Sequence, residues 1–248
     1  TTDYAVGMLF DALERAGKRD NTIVVLLSDH GEEFLDHGFV EHAWRLYRES
    51  IHVPLVFWYP PALAPATMDD CVGLIDVYPS LLALAGLPVP EAASGEVLFE
   101  DAGGGYVPRG REGSIISEFL VQSRNIVRTI IQDDWKYTAA VKWVPAEQLS
   151  ELAGRANWEE RKFAQGARRP MNIFGPTVHE ELYHIAEDPL EQHNVHTTEP
   201  AIRNAFREQM TAYYAHCREI AENVAGDTTN PAPMSEEEMR NMRSLGYL

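Results

Sequence analysis

The 248-residue chain is 45% hydrophobic, enough to bury a sizeable core, and its length fits one large domain or one domain with an appendage. Its formal net charge of −17 repels phosphate backbones and anionic lipid, which argues against nucleic acid and membrane surfaces as partners. The two cysteines, Cys71 and Cys217, stand outside any C-x-x-C pair. Neither a disulfide framework nor a structural zinc site is therefore visible, and no apolar run reaches the ~20 residues that span a bilayer.

Along the chain, Tyr4, Met8, Leu9, Ala12, Leu13 and Ala16 recur at helical spacing, with Gly17 placed to close the helix. TIVVLLS (22–28) is short, apolar on both faces and rich in β-branched residues, the pattern of a buried parallel strand. HVPLVFWYP (52–60) is a second such run, and DVYPSLLALAG (76–86) reads as a helix ending at Gly86. Helix, strand, loop, strand, helix is the rhythm of an α/β sheet domain. From about residue 90, EAASGEVLFEDAGGGYVPRGREG reads as an exposed connection. Beyond it, SIISEFL, NIVRTIIQ, WKYTAAV and ELYHIA are short strand candidates, with Asp133-Asp134 as a hairpin turn. They predict a small antiparallel sheet. Residues 142–178 read as a polar, partly helical excursion. Thr198 is a candidate N-cap with Pro200 in the first turn of a helix to about residue 224. Ile202, Phe206, Met210, Tyr213, Cys217, Ile220 and Val224 would share the face that packs on the sheet.

The chemistry-bearing stretch is SDHGEEFLDHGFVEHAWRLY (28–47). Asp29 and His30 follow directly on an apolar strand, and the carboxyl ends of parallel strands open onto the ligand crevice of an α/β sheet. A carboxylate beside a neutral imidazole is a sensible donor pair for a divalent cation. Gly31 would permit a sharp exit from the strand. The competing account is that Asp29 caps a helix starting at Gly31 while His30 points into solvent. His37 and His42 follow within twelve residues. His37 reads as an ordinary loop histidine and His52 as structural.

SDHGEEF followed by HAWRLYRESIHVPLVFWYP closely resembles the second half of the sulfatase family, within the alkaline-phosphatase superfamily. DVYPSLLALAGLPVP, DDWKYTAA, ELYHIAEDPLEQHNV and the closing RSLGYL resemble further blocks of that family in the same order. The resemblance implies the C-terminal part of an alkaline-phosphatase-like, parallel-dominated α/β domain over residues 1–97. A small α+β subdomain with an antiparallel sheet and a C-terminal helix would follow over 98–248. It implies that Asp29 and His30 are metal ligands. The ion would be calcium by family habit, although a histidine ligand suits magnesium, manganese or zinc as well. It implies that His42 contacts the sulfate and the leaving oxygen, where charge develops as the ester breaks.

The family nucleophile, a formylglycine made from the Cys or Ser of C/S-x-P-x-R, has no counterpart here, and neither does the family's first Asp-Asp metal pair. The expectation is therefore a C-terminal fragment of a sulfuric ester hydrolase, inactive alone, whose substrate is a small-molecule or glycan sulfate ester. The alternatives are a phosphonate or phosphate ester hydrolase, a phosphoethanolamine transferase, or a pseudoenzyme domain that has kept the fold and lost the chemistry.

Overall fold

The computed structural model describes residues 2–42, 45–120, 125–142 and 177–224. The expected excursion at 142–178 and the closing LGYL lie essentially outside these residues. The chain divides into two compact units, Thr1–Phe206 and Arg207–Leu248.

The first helix, α1, runs Thr2–Arg15. It ends as its sequence predicts. Gly17 adopts a positive φ of 62°, its N–H donates to the Glu14 carbonyl, and the Lys18 N–H reaches back to Leu13. That paired closure is available at low cost because glycine lacks the Cβ that penalises left-handed backbone. Strand β1 (Val24–Leu27) pairs with β4 (Leu55–Trp58). Between them lie the two-residue strands β2 (Glu33–Phe34) and β3 (Val40–Glu41) and the short helix α2 (Arg48–Ile51).

The direction of the β1–β4 pair differs from the sequence expectation. The two strands run antiparallel, Val24 opposite Trp58 and Leu27 opposite Leu55. Strand direction is a property of the connection, and the residues between β1 and β4 form a returning loop rather than a crossover helix of a βαβ unit. Nor are these strands buried on both faces: Leu26, Leu27 and Val56 are exposed, and α1 has no buried residue. Phe10 meets Trp58 edge to face at 4.9 Å, covering only part of the strand pair. Continuous apolar strands such as these are written for a sheet covered on both sides.

Helix α3 (Val77–Leu84) follows a turn of 3₁₀ helix at Leu74–Asp76. Asp76 is wholly buried, and its carboxylate accepts the backbone N–H groups of Gly73 and Glu96, both at 2.8 Å, and the Arg111 guanidinium. One side chain thereby ties the start of α3 to the segment that follows it. That segment is no featureless connection, as the sequence suggested, but a hairpin of β5 (Phe99–Asp101) and β6 (Tyr106–Pro108) with Leu98 buried at its base.

The small antiparallel sheet forms as expected. Strands β7 (Ile115–Leu120), β8 (Asn125–Gln132), β9 (Trp135–Lys142) and β10 (Thr177–His184) stand in the order β10-β9-β8-β7, all pairs antiparallel. The β8–β9 turn is Asp133-Asp134, with Asp133 in left-handed backbone at φ 51°. Ile130, Tyr137 and Leu182 form the buried apolar centre. The last helix among the described residues, α4, spans Pro200–Val224. Phe206 stacks on Tyr137, with centroids 6.2 Å apart and planes at 12°. Two details of this helix differ from expectation. Thr198 does not cap it, since its hydroxyl donates to the Val195 carbonyl at 3.1 Å, and Pro200 follows Glu199, whose carbonyl accepts the Arg203 N–H. The buried stripe is Phe206, Met210 and Tyr214, a strict i, i+4 series, while Tyr213 and Ile220 are exposed.

Candidate functional site

The site begins where β1 ends. Ser28 donates to the His30 carbonyl at 2.7 Å, and the His30 N–H donates to Asp29 Oδ1 at 3.0 Å. These two bonds shape the exit of the strand. No helix begins at Gly31, so Asp29 caps nothing. Gly31 is needed for a reason other than a sharp turn. Its N–H donates to the Ser50 carbonyl at 2.9 Å, and a Cβ on it would lie 1.9 Å from the Glu49 carbonyl oxygen. Backbone meets backbone there, and only glycine leaves the room.

His30 Nδ1 lies 2.8 Å from the Gly31 carbonyl. A carbonyl only accepts, so the proton of the neutral ring sits on Nδ1 and Nε2 presents its lone pair outward. Nε2 is 3.8 Å from Asp29 Oδ2. Two donors that each sit about 2.0–2.6 Å from one cation stand about 3–5 Å apart, so this donor pair fits a divalent ion. No group of three or more His, Cys, Asp or Glu side chains arranged to hold a metal occurs among the described residues. Asp29 and His30 thus supply two donors and no more.

The loop returns His42 to this point. Its ring stacks on His30 with centroids 4.1 Å apart and planes at 27°. His42 Nδ1 faces Glu32 Oε2 at 3.3 Å, which leaves Nε2 as the ring's working atom. The return is made through the β2–β3 pair and a tight turn, with Leu35 donating to the Phe39 carbonyl at 2.7 Å and Gly38 at φ 82°. Asp29, His30 and His42, the three residues singled out in the sequence, therefore come together. With Arg45, Arg48 and His52 they line a cleft of about 900 Å³. Arg48 Nε donates to His52 Nδ1 at 3.3 Å, so His52 belongs to the wall of this cleft.

Three features escaped the sequence reading. Glu32 is the carboxylate partner of His42. Arg45 and Arg48 put cationic side chains on the cleft of a strongly acidic chain; the signal was present in WRLYR, where two arginines flank an apolar pair. Glu33 is buried, with Oε1 accepting from Ser50 Oγ at 3.2 Å and Oε2 without a hydrogen-bond partner. Burial pushes its carboxyl above the usual range, the Ser50 hydrogen bond opposes the rise, and the Glu49 charge adds to it.

His37 is no ordinary loop histidine. Its ring lies flat on Tyr47, centroids 3.7 Å apart and planes at 10°, and both ring nitrogens are engaged. Tyr47 donates to Glu181 Oε1 at 2.9 Å, and its hydroxyl pKa is raised to about 12 by burial and by the Glu181 charge. Beside it, Lys136 of β9 sits within 2.7 Å of both carboxylate oxygens of Glu191, and both side chains are buried. Burial works against both charges. It lowers the Lys136 pKa and raises that of Glu191, and their mutual attraction opposes each shift.

Comparison with known proteins finds similarity to sulfatases. The sulfatase family model matches residues 1–87. Bovine arylsulfatase K is 32% identical over 147 residues, 56% of this chain and 26% of that protein. N-acetylgalactosamine-6-O-sulfatase of Bacteroides thetaiotaomicron is 24% identical over 221 residues, 81% of this chain and 38% of that protein. A solved sulfatase structure from Bacteroides thetaiotaomicron shares the fold, with a TM-score of 0.57 at 20% identity, covering 88% of this chain and 40% of that one. So does the phosphonate monoester hydrolase of Silicibacter pomeroyi, with a TM-score of 0.59 at 16% identity, covering 95% of this chain and 42% of that one. The chain thus spans well under half the length of the proteins it matches.

Proposed function

We propose that the chain, whose residues 1–87 match the sulfatase family model, forms the C-terminal portion of a metal-dependent sulfuric ester hydrolase. Residues 1–97 complete the catalytic α/β domain and 98–248 form the appended subdomain. The observation that carries this reading is the convergence of Asp29, His30 and His42 at one mouth of one cleft, directly after β1. Asp29 Oδ2 and His30 Nε2 would hold a divalent ion, calcium by family habit, which when bound supplies positive charge to the sulfate oxygens. His42 would carry a proton at Nε2 for the ester oxygen as it leaves. Glu32, facing His42 Nδ1, orients the ring. Arg45 and Arg48 bring cationic charge to a cleft that must take an anion.

The nucleophile belongs to a C/S-x-P-x-R segment that this sequence lacks. The chain alone is therefore inactive, and catalysis requires the segment in the same protein. The substrate class is a sulfate ester, and a sugar sulfate is the choice favoured by the kinship with N-acetylgalactosamine-6-O-sulfatase. A second reading, hydrolysis of a phosphonate or phosphate ester, rests on the fold shared with the Silicibacter enzyme.

The test uses the chain alone and a version joined to the N-terminal part of a sulfatase, which carries both the C/S-x-P-x-R nucleophile and the first Asp-Asp metal pair, each assayed on a chromogenic sulfate ester and a chromogenic phosphonate ester. The expected result is no turnover by the chain alone and sulfate-ester turnover by the joined protein. In the latter, Asp29→Ala should lose bound metal. His42→Ala should keep the metal and lower kcat. Turnover by the chain alone, or a preference for the phosphonate, would overturn the reading.

A further inference from the structure

The connection that returns His42 to His30 crosses from one part of the fold to another, and His37 stands at the crossing. It lies midway along the loop, between β2 and β3. Its Nδ1 is 2.6 Å from Glu49 Oε1 on α2, and its Nε2 is 3.2 Å from the Glu191 carbonyl, beyond β10. The Tyr47 ring closes one face. Tyr47 is itself bonded to Glu181 on β10, and the Glu191 carboxylate holds Lys136 on β9. A single imidazole thus joins the loop to the α2 segment and to the small sheet.

The geometry points to an imidazolium. A backbone carbonyl cannot donate, so Nε2 must carry a proton to meet Glu191. A carboxylate at 2.6 Å is in the range of charge-assisted bonds and also accepts, so Nδ1 carries the second proton. The neutral alternative would have Nε2 accept from the Gln192 amide, 3.3 Å away, while its lone pair faced that of the Glu191 carbonyl. Charge balance agrees: Glu49 and Glu33 lie on the loop side, and on the sheet side the Glu191 carboxylate is engaged by Lys136. Burial lowers the affinity of His37 for its second proton, but the Glu49 and Glu191 hydrogen bonds and charges outweigh it and raise the pKa.

We infer that His37 is a positioning residue, a charged clamp that pins the loop bearing His42 to α2 and the small sheet and so sets the stacking of His42 on His30. The role of His42 in catalysis rests on the function proposed above; the clamp does not. Its stabilising contribution is complete below the ordinary histidine pKa of ~6.5 and is lost as pH rises through the raised value in the folded chain.

The experiment is a pH series on the 248-residue chain, followed by imidazole ¹H–¹⁵N NMR and by amide exchange at Leu35 and Gly38, whose N–H groups close the loop turn. Expected are two protonated nitrogens on His37 at neutral pH and loss of amide protection, after correction for intrinsic rate, as the ring titrates. Glu49→Gln keeps the shape and removes the charge. It should move both midpoints down by about 1–3 pH units, the effect of one close opposite charge. A His37 ring with one proton at neutral pH, or amide protection that ignores its titration, overturns the clamp. So does a midpoint that Glu49→Gln leaves in place. In the joined protein, His37→Gln should lower kcat with metal content unchanged. If that protein hydrolyses no sulfate ester, the proposed function falls while the NMR series still decides the clamp.

Discussion

The β1–β4 pair and the four-stranded sheet are built from the same residue types, yet they end in different environments. In the sheet, Ile130 and Leu182 are 0% exposed and Tyr137 is 1% exposed. In the pair, Leu27 is 42% and Val56 50% exposed. Four strands twisted over a helix turn that carries Phe206 can exclude water from one face; two strands under half a helix cannot. Apolar sequence thus becomes stability only where a second layer arrives. The same contrast appears among the charges. Lys136 and Glu191 are paired inside the sheet region, whereas Asp29, His30 and His42 stand exposed at the end of β1. One set holds the fold and the other is free to meet a ligand.

The sharpest test of this contrast is Lys136→Ala, which leaves the Glu191 carboxylate buried without its cation. Breaking one side of a buried pair costs about 3–5 kcal/mol, so unfolding in urea should shift strongly. Lys136→Met combined with Glu191→Leu should recover much of that loss. Leu182→Ala, in the centre of the sheet, should cost about 2–5 kcal/mol by removing buried methyl groups and leaving a cavity. Gly31→Ala probes the loop and not the core. Its Cβ would meet the Glu49 carbonyl, so about 1–3 kcal/mol of overpacking is expected, together with a displaced His30–His42 stack read from their ring resonances. Val56→Ala on the exposed pair should change stability by no more than about 0.5 kcal/mol. A large loss at Val56, matching that at Leu182, would mean that the strand pair is covered in solution and would break the comparison.

Much of the architecture could be read from local pattern. The helix closures at Gly17 and Gly86, the Asp133-Asp134 hairpin and the four strands of the small sheet follow from residue preferences that act over a few positions. The β5–β6 hairpin was missed because its strands are short and carry acidic and proline residues. Its signal was the glycine run at 103–105, which supplies a turn between FED and YVP. The α4 stripe was displaced by one position, from Tyr213 to Tyr214, because two adjacent tyrosines satisfy the helical period almost equally well and only packing chooses between them.

What the chain's order of residues determined by itself is the chemistry offered at each place. It sets a carboxylate and an imidazole after an apolar strand, a returning histidine, and blocks that resemble those of the sulfatase family. Tertiary structure alone decided which of these groups meet. The stacking of His42 on His30, the seat of His37 between Glu49 and Glu191, the burial of Glu33 and the antiparallel run of β1 against β4 are contacts between residues far apart in the chain or set by a loop's path. The physical reason is range. Propensity and periodicity act across one or two turns, whereas the partner of a side chain, and therefore its protonation and its exposure, is chosen by the path of the whole backbone.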